Sequence, residues 1–256
     1  MMKIYSWNVN SIRARLEHTL LWLEKNQPDV LCLQEIKVQE DQFPLAEFTD
    51  KGWHVALAGQ RTYNGVALIS KQPLEDVRIG LGDAELDTQQ RLIAGTCGDV
   101  RVLNLYAPNG KEVDSEPFAF KEKWYAKLAE YLQTHFKPTD KVLLCGDFNI
   151  APADIDTWDP AEWVGKILFS EQEHAWLQTL LDWGLTDSFR HLHPTEQQFS
   201  WWDYRQASLR RNRGMRIDHV LLTQPLLAQC QEALIDKAPR TWDRPSDHTP
   251  VGVVLG

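Results

Sequence analysis

Apolar residues along this chain come in short runs, and most of those runs end in a polar residue. KIYSWNV (3–9) and DVLCLQE (29–35) read as strands, separated by an amphipathic stretch from Arg13 to Asn26 that reads as a helix and is broken at Pro28. GVALIS (65–70), LIAGTC (92–97) and VRVLNLYAP (100–108) continue the strand series. A helix is expected over about 117–135, then a buried strand in KVLLCGDFN (141–149) and another helix over about 171–183. IDHVLL (217–222) and VGVVL (251–255) complete the strands. Strands recur in both halves, and no Gly/Ser-rich linker, low-complexity tract or repeat divides them. The pattern therefore predicts an α/β fold, one domain over residues 1–256 with two sheets and helices outside.

Composition fits a packed globular chain, with 43% hydrophobic residues and eleven Trp. MMKIYSWNVNSIRARL has no apolar run of signal-peptide length, and VLLC and VGVVL are far too short to span a bilayer. A soluble, cytoplasmic protein without membrane contact is expected. Cys32, Cys97, Cys145 and Cys230 lie far apart, with no CxxC pair; three sit in strand-like runs and read as buried free thiols. The net charge of −9 argues against indiscriminate nucleic-acid affinity, although a local basic strip overrides such a background.

The polar residues that close the strands are chemically alike, mostly carboxylates and amides. Asn8 ends the first, Glu35 the second and Tyr106 the VLNLY strand; Asp147 and Asn149 end VLLCGDFN, Asp218 opens IDHVLL, and Asp247 with His248 precedes the last. Singly, each has a structural explanation: a capping Asp after Gly146, an Asx-turn at Asn8, a Glu35–Lys37 pair, a core tyrosine, or a proline-flanked surface turn in RPSDHTP. Together they are several carboxylates, amides and one His with no Cys ligand, the donor set that a hard, oxygen-seeking cation and phosphate chemistry require.

SWNVNSIRARL, DVLCLQEIK, YNGVALIS, VLNLYAPNG, LLCGDFNIAP, FSWWDYR, GMRIDHVLL and RPSDHTPV follow one another from residue 6 to 251. In that order they resemble the successive motifs of the exonuclease III family of DNA repair nucleases, within the endonuclease/exonuclease/phosphatase superfamily. The resemblance implies a four-layered α/β sandwich with two central mixed sheets. It implies a Mg²⁺ ion, replaceable by Mn²⁺, held by Glu35 with Asn8 beside it and Asp247 as an outer ligand. It also implies that Asp147 orients or deprotonates the attacking water, that Asn149 helps to position it, and that Tyr106 stabilises charge in the transition state or assists the nucleophile. His248, held by Asp218, would bind a nonbridging phosphate oxygen, its flanking prolines fixing it toward phosphate while Asp247 faces the metal.

For DNA, RQASLRRNRGMR (205–216) carries five arginines and no acid, and the resemblance places this loop, with Arg210, Arg211 and Arg213, beside the duplex. Trp201 and Met215 match the lining of the family's pocket for a sugar without its base, and Asn109 and Lys111 are further backbone contacts. Two positions depart from the family. Asn10 stands where many relatives carry an Asp, and Leu168 stands where relatives that cut at internal abasic sites tend to carry Gly or Ser. The expectation is a monomeric, metal-dependent DNA phosphodiesterase of the exonuclease III type. Its substrate would be double-stranded DNA with abasic sites or blocked 3′ ends, with end processing at least as efficient as abasic incision. The rival readings are a relative acting on RNA or a phospholipid head group and a catalytically silent DNA-binding module.

Overall fold

Eight strands form close to where the apolar runs put them, and six further short or partly exposed strands join them. The computed structural model describes residues 1–256. In chain order the strands are β1 (Met2–Asn8), β2 (Val30–Gln34), β3 (His54–Ala58), β4 (Val66–Ser70), β5 (Glu75–Ile79), β6 (Leu92–Cys97) and β7 (Val100–Tyr106). They continue as β8 (Val142–Asp147), β9 (Leu185–Asp187), β10 (Trp201–Trp202), β11 (Gly214–Met215), β12 (Asp218–Thr223), β13 (Cys230–Ile235) and β14 (Val251–Leu255).

Two six-stranded sheets result, ordered β13-β14-β1-β2-β4-β3 and β5-β6-β7-β8-β12-β9, with β10 and β11 as a separate ribbon. Each sheet is antiparallel except for one central pair, β1 with β2 in the first and β7 with β8 in the second. The carboxyl ends of these parallel pairs carry Asn8 opposite Gln34 and Tyr106 opposite Asp147, so they deliver the candidate chemistry to one edge of the molecule. Gly146 is what allows β8 to lie there, because a Cβ at this position would collide with the Leu105 carbonyl of β7.

The layers follow from the alternation of side chains. One face of each sheet contributes to a shared core that includes Ile4, Val30, Cys32, Leu68, Val102, Cys145, Val220 and Val253. The outer face of the first sheet packs Trp7, Leu31 and Leu33 with Trp22 and Leu23 of the Leu16–Asn26 helix. The outer face of the second packs Leu103, Leu105 and Leu144 with the Glu116–His135 and Glu171–Gly184 helices through Trp124, Leu128, Leu177 and Leu180. This is the helix–sheet–sheet–helix sandwich with mixed sheets that the family resemblance implies, and it agrees with the two sheets and outer helices read from the apolar pattern. No helix is long and apolar enough to cross a membrane. Among the cysteines expected to be buried, Cys97 is only partly buried, because it lies at the end of β6 where the β6–β7 hairpin turns.

The inter-sheet core is not wholly apolar. Gln34 Nε2 donates to Asn104 Oδ1 (2.7 Å) across the sheets and to Ser6 Oγ (2.9 Å), while Asn104 Nδ2 donates to the carbonyls of Leu33 (3.0 Å) and Ala67 (2.9 Å). Buried amides that find partners in the opposite sheet fix how the two sheets meet.

Arg216 is a second internal tie. It is wholly buried, with Nε on Asp156 Oδ1 (2.7 Å) and NH2 on Asp187 Oδ2 (2.6 Å), and Arg190 shares Asp156 (2.7 Å). The arginine that the sequence placed in a DNA-facing loop is therefore engaged inside the protein, holding the strand that carries Asp218. Burial alone would raise the Asp187 carboxyl, but the Arg216 guanidinium overrides it and holds the pKa down to about 2, against an ordinary 3.8. A depressed carboxyl stabilises the fold above its unfolded pKa and loses that contribution as pH falls through the folded one. Asp187→Asn is expected to lower stability at neutral pH by about 2 kcal/mol or more. In urea melts at several pH values the gap to the wild type should close between about pH 4 and pH 2. A gap that stays constant over that range would mean that Asp187 stabilises by packing and not by charge.

Candidate active site

The strand ends converge. Asn8, the last residue of β1, is completely buried, and its Nδ2 donates both to Glu35 Oε1 (2.8 Å) and to Asp147 Oδ2 (2.9 Å). Asn8 Oδ1 accepts the Asn10 backbone N–H (3.0 Å). The amide thus turns its NH₂ toward the two carboxylates and orients both acids, with its oxygen on the Asn10 N–H. Glu35 follows β2 at φ 50°, a left-handed backbone that swings its side chain off the strand line into the site.

The ligand-type atoms of Glu35, Asp147 and His248 lie within 4.8 Å of one another. His248 is gripped from behind, with Nδ1 2.8 Å from Asp218 Oδ2, and its Nε2 lies 3.5 Å from Asp147 Oδ2. Asp218 is set in turn by Ser200, whose Oγ accepts the Asp218 N–H at 3.0 Å. The turn bearing His248 is held by more than its prolines. Ser246 Oγ donates to Asn8 O (2.6 Å), Trp7 Nε1 donates to His248 O (3.3 Å), and Pro245 O accepts from Arg15 (3.1 Å) and Tyr204 (2.8 Å).

Electrostatics follow from this crowding. Burial, then the negative charges of Asp218 and Glu35, push the Asp147 carboxyl up to about 7, with His248 and Asn8 pulling the other way. Burial alone would depress the His248 imidazole, yet Asp218, Asp147 and Asp247 lift it well above its ordinary value, so it carries a proton at neutral pH. Glu35 stays ionised, because the hydrogen bond from Asn8 and the charge of Lys37 outweigh its burial. Burial and the neighbouring Glu35 hold the Tyr106 phenol well above 10, so this group is a hydrogen-bond donor and not a phenolate. The Arg91 guanidinium stacks 4.7 Å from the Tyr106 ring centroid and opposes that rise.

The remaining predicted residues fall into four groups. Asn149, at φ 50°, donates its backbone N–H to Asp147 Oδ1 (2.9 Å) and its Nδ2 to Ala107 O (2.9 Å), and Asn109 donates to its Oδ1 (3.3 Å). Asn109 and the exposed Lys111 therefore border the site on the β7 side. Asp247 sits across the mouth, with Oδ2 accepting from Trp201 Nε1 (3.0 Å) and Oδ1 from Asn10 Nδ2 (3.3 Å). A carboxylate at position 10 would face Asp247 with like charge, whereas the amide pairs with it.

Met215 is fully buried opposite Trp201 in the β10–β11 ribbon, in a small apolar cluster with Ala151, Phe169, Ile217 and Leu168. Leu168 is 4% exposed and held at φ 75°, a conformation that favours glycine. In the arginine loop, Arg210 and Arg211 are exposed, Arg213 stacks on Trp158 (4.7 Å), and Arg205 is paired with Asp203 (2.7 Å). Sequence reasoning missed the orienting roles of Asn8, Ser200 and Ser246 and the stacking of Arg91 on Tyr106, all contacts between segments far apart in the chain.

As a metal centre the group fits a hard cation: two carboxylates and no thiolate, with Glu35 partly open to solvent at its side chain (19%). Residues 5–248 match the Endonuclease/Exonuclease/phosphatase family. The chain is 41% identical to the exodeoxyribonuclease III of Haemophilus influenzae, over 98% of each protein. Among solved structures it is similar to a 3′ phosphatase, NExo, from Neisseria bound to product DNA hairpin (44% identity, TM-score 0.96, all of both chains). It is also similar to an AP endonuclease from Archaeoglobus fulgidus (37% identity, TM-score 0.96, 100% of this chain and 99% of that one).

Proposed function

The chain belongs to the Endonuclease/Exonuclease/phosphatase family, and we propose that it is a DNA repair hydrolase of the exonuclease III type, acting on phosphate esters at 3′ ends and at abasic sites in double-stranded DNA. The observation that carries this reading is the cluster of Glu35, Asp147 and His248 with Asp218 behind it, an acidic pair and a protonated imidazole aimed at one point.

Mg²⁺, or Mn²⁺ in its place, would be held by the Glu35 carboxylate with Asp247 on the outer side, and would supply positive charge to the phosphate under attack. The protein's own groups supply the rest. Asp147 has a carboxyl poised near neutrality by burial, so it takes a proton from a water that Asn149 helps to place. His248 turns its protonated Nε2 toward a nonbridging oxygen, and Asp218 keeps it charged. Tyr106 remains a phenol and donates to the charge that builds on phosphorus-bound oxygen. Exposed Arg210, Arg211 and Lys111, with Asn109 and Arg213, line the approach for the DNA backbone.

Leu168 sets the preference among substrates. An abasic sugar within a continuous duplex has to be extruded toward Trp201 and Met215, and Leu168 fills the cluster beside them. A 3′ terminus frays without that constraint.

The test is to time phosphate release from a 3′-phosphorylated duplex and incision of an internal abasic duplex, in Mg²⁺ and in chelator, for the wild type and Leu168→Gly. Both reactions should stop in chelator and return with Mg²⁺ or Mn²⁺; full activity in excess chelator would overturn the assignment. The wild type should process the 3′ end at least as fast as the abasic site. Leu168→Gly is expected to raise abasic incision by about one to two orders of magnitude and leave end processing unchanged, the scale of relieving an overpacked contact. Fast abasic incision by the wild type, unaltered by the substitution, would remove Leu168 from the account.

A further inference from the structure

Beneath the site lies a buried ion pair that the mechanism does not use. Lys121, on the Glu116–His135 helix, and Glu173, on the Glu171–Gly184 helix, have no exposed side-chain surface and are hydrogen-bonded to each other. Glu173 has an evident structural role. With Ser170 it forms the capping box that starts its helix, Oε2 accepting from Ser170 N (3.0 Å) and Oγ (2.7 Å). A capping box needs no lysine. Burying an ammonium is costly, and its remaining donors show where it acts: Lys121 Nζ donates to Asn149 O (2.8 Å) and to Asn109 O (3.1 Å). On the other side of the pair, Glu173 Oε1 accepts the backbone N–H of Leu168 (3.0 Å). Leu168 O in turn accepts from Ala151 N (2.9 Å), which closes the circuit between the same loops.

One ion pair thus touches the loop after β7, the loop after β8 and the loop that carries Leu168. Two of the residues it holds, Asn149 at φ 50° and Leu168 at φ 75°, have left-handed backbones that need outside support. Gly110 lets the first loop come this close, since a Cβ there would crowd Lys121 and Ile167.

We propose that Lys121 and Glu173 are positioning residues that lock the water-placing Asn149 and the substrate-selecting Leu168 into one rigid unit, so that turnover and substrate preference are set together. The proposal rests on the function argued above. It predicts that removing the pair loosens geometry at the reacting centre while leaving the DNA contacts of Arg210, Arg211 and Arg213, which lie in a loop the pair does not touch, nearly intact.

Lys121→Met alone would strand the Glu173 carboxylate in the interior and destabilise the fold, so the informative variant is Lys121→Met with Glu173→Gln. It removes both charges, and Gln serves a capping box as Glu does. Two readouts are taken on protein shown to be folded by its melting curve. Amide hydrogen exchange at 109–111, 148–151 and 166–170 is expected to quicken at least tenfold over the wild type while the strands keep their protection. Turnover on a 3′-phosphorylated duplex with Mg²⁺ is expected to fall by roughly 10- to 100-fold with KM changed less than about threefold, the cost of misplacing a catalytic geometry by about an ångström. Unchanged exchange in the three loops, or a loss of activity that only tracks the unfolded fraction, would overturn the proposal. An inactive wild type would instead count against the function itself, leaving the exchange data to decide whether the clamp exists.

Discussion

The Asn8 amide is the contact on which this site depends. Its two N–H bonds go to Glu35, from the first sheet, and to Asp147, from the second, so a single buried side chain joins the acidic groups of both halves of the sandwich. Without it, the two carboxylates would lose the one donor they share across the seam. Its carbonyl oxygen is engaged by the Asn10 N–H, which leaves the amide one satisfied orientation. The Gln34–Asn104 bond deeper in the seam fixes the spacing of the sheets, and Ser246, donating to Asn8 O, brings in the turn with His248.

From that seam outward, the fold uses rigidity to make functional loops behave like strands. Parallel pairs at the centre of each sheet end at the same edge, and the residues just beyond them adopt conformations that free loops would avoid, Glu35 and Asn149 among them. Such backbones persist only where the surroundings over-determine them. Here the surroundings are internal polar ties: Arg216 with Asp156 and Asp187 behind Asp218, and Lys121 with Glu173 behind Asn149. The pKa values answer to the same crowding. Asp147 and His248 are displaced upward because neighbouring carboxylates share a space from which water is excluded.

Much of this was legible in the chain, for identifiable reasons. β2, β4, β7, β8, β12 and β14 are buried runs of apolar residues, and the polar residues at the ends of several of them marked the site edge. β5 was missed because EDVRI is exposed throughout and alternates nothing, β9 because three residues carry no period, and β13 because a bulge breaks its pattern after Cys230. Arg216 was misread for a reason of the same kind: an arginine-rich run looks uniformly solvated, and only the fold brings Asp156 and Asp187 to its last member. Lys121 gave no signal at all in a helix with other lysines, whereas Glu173 had one in the Ser170–Glu173 spacing.

One amide, we hold, assembles the chemistry across the seam of two sheets. The most direct test is the single-turnover rate of Asn8→Ala on a 3′-phosphorylated duplex with saturating enzyme and Mg²⁺, alongside its melting temperature. The variant is expected to fold and its rate to fall by about two orders of magnitude, because Glu35 and Asp147 lose their common anchor. A folded variant that reacts within about threefold of the wild type would contradict this, and would show that the two acids hold their places without Asn8.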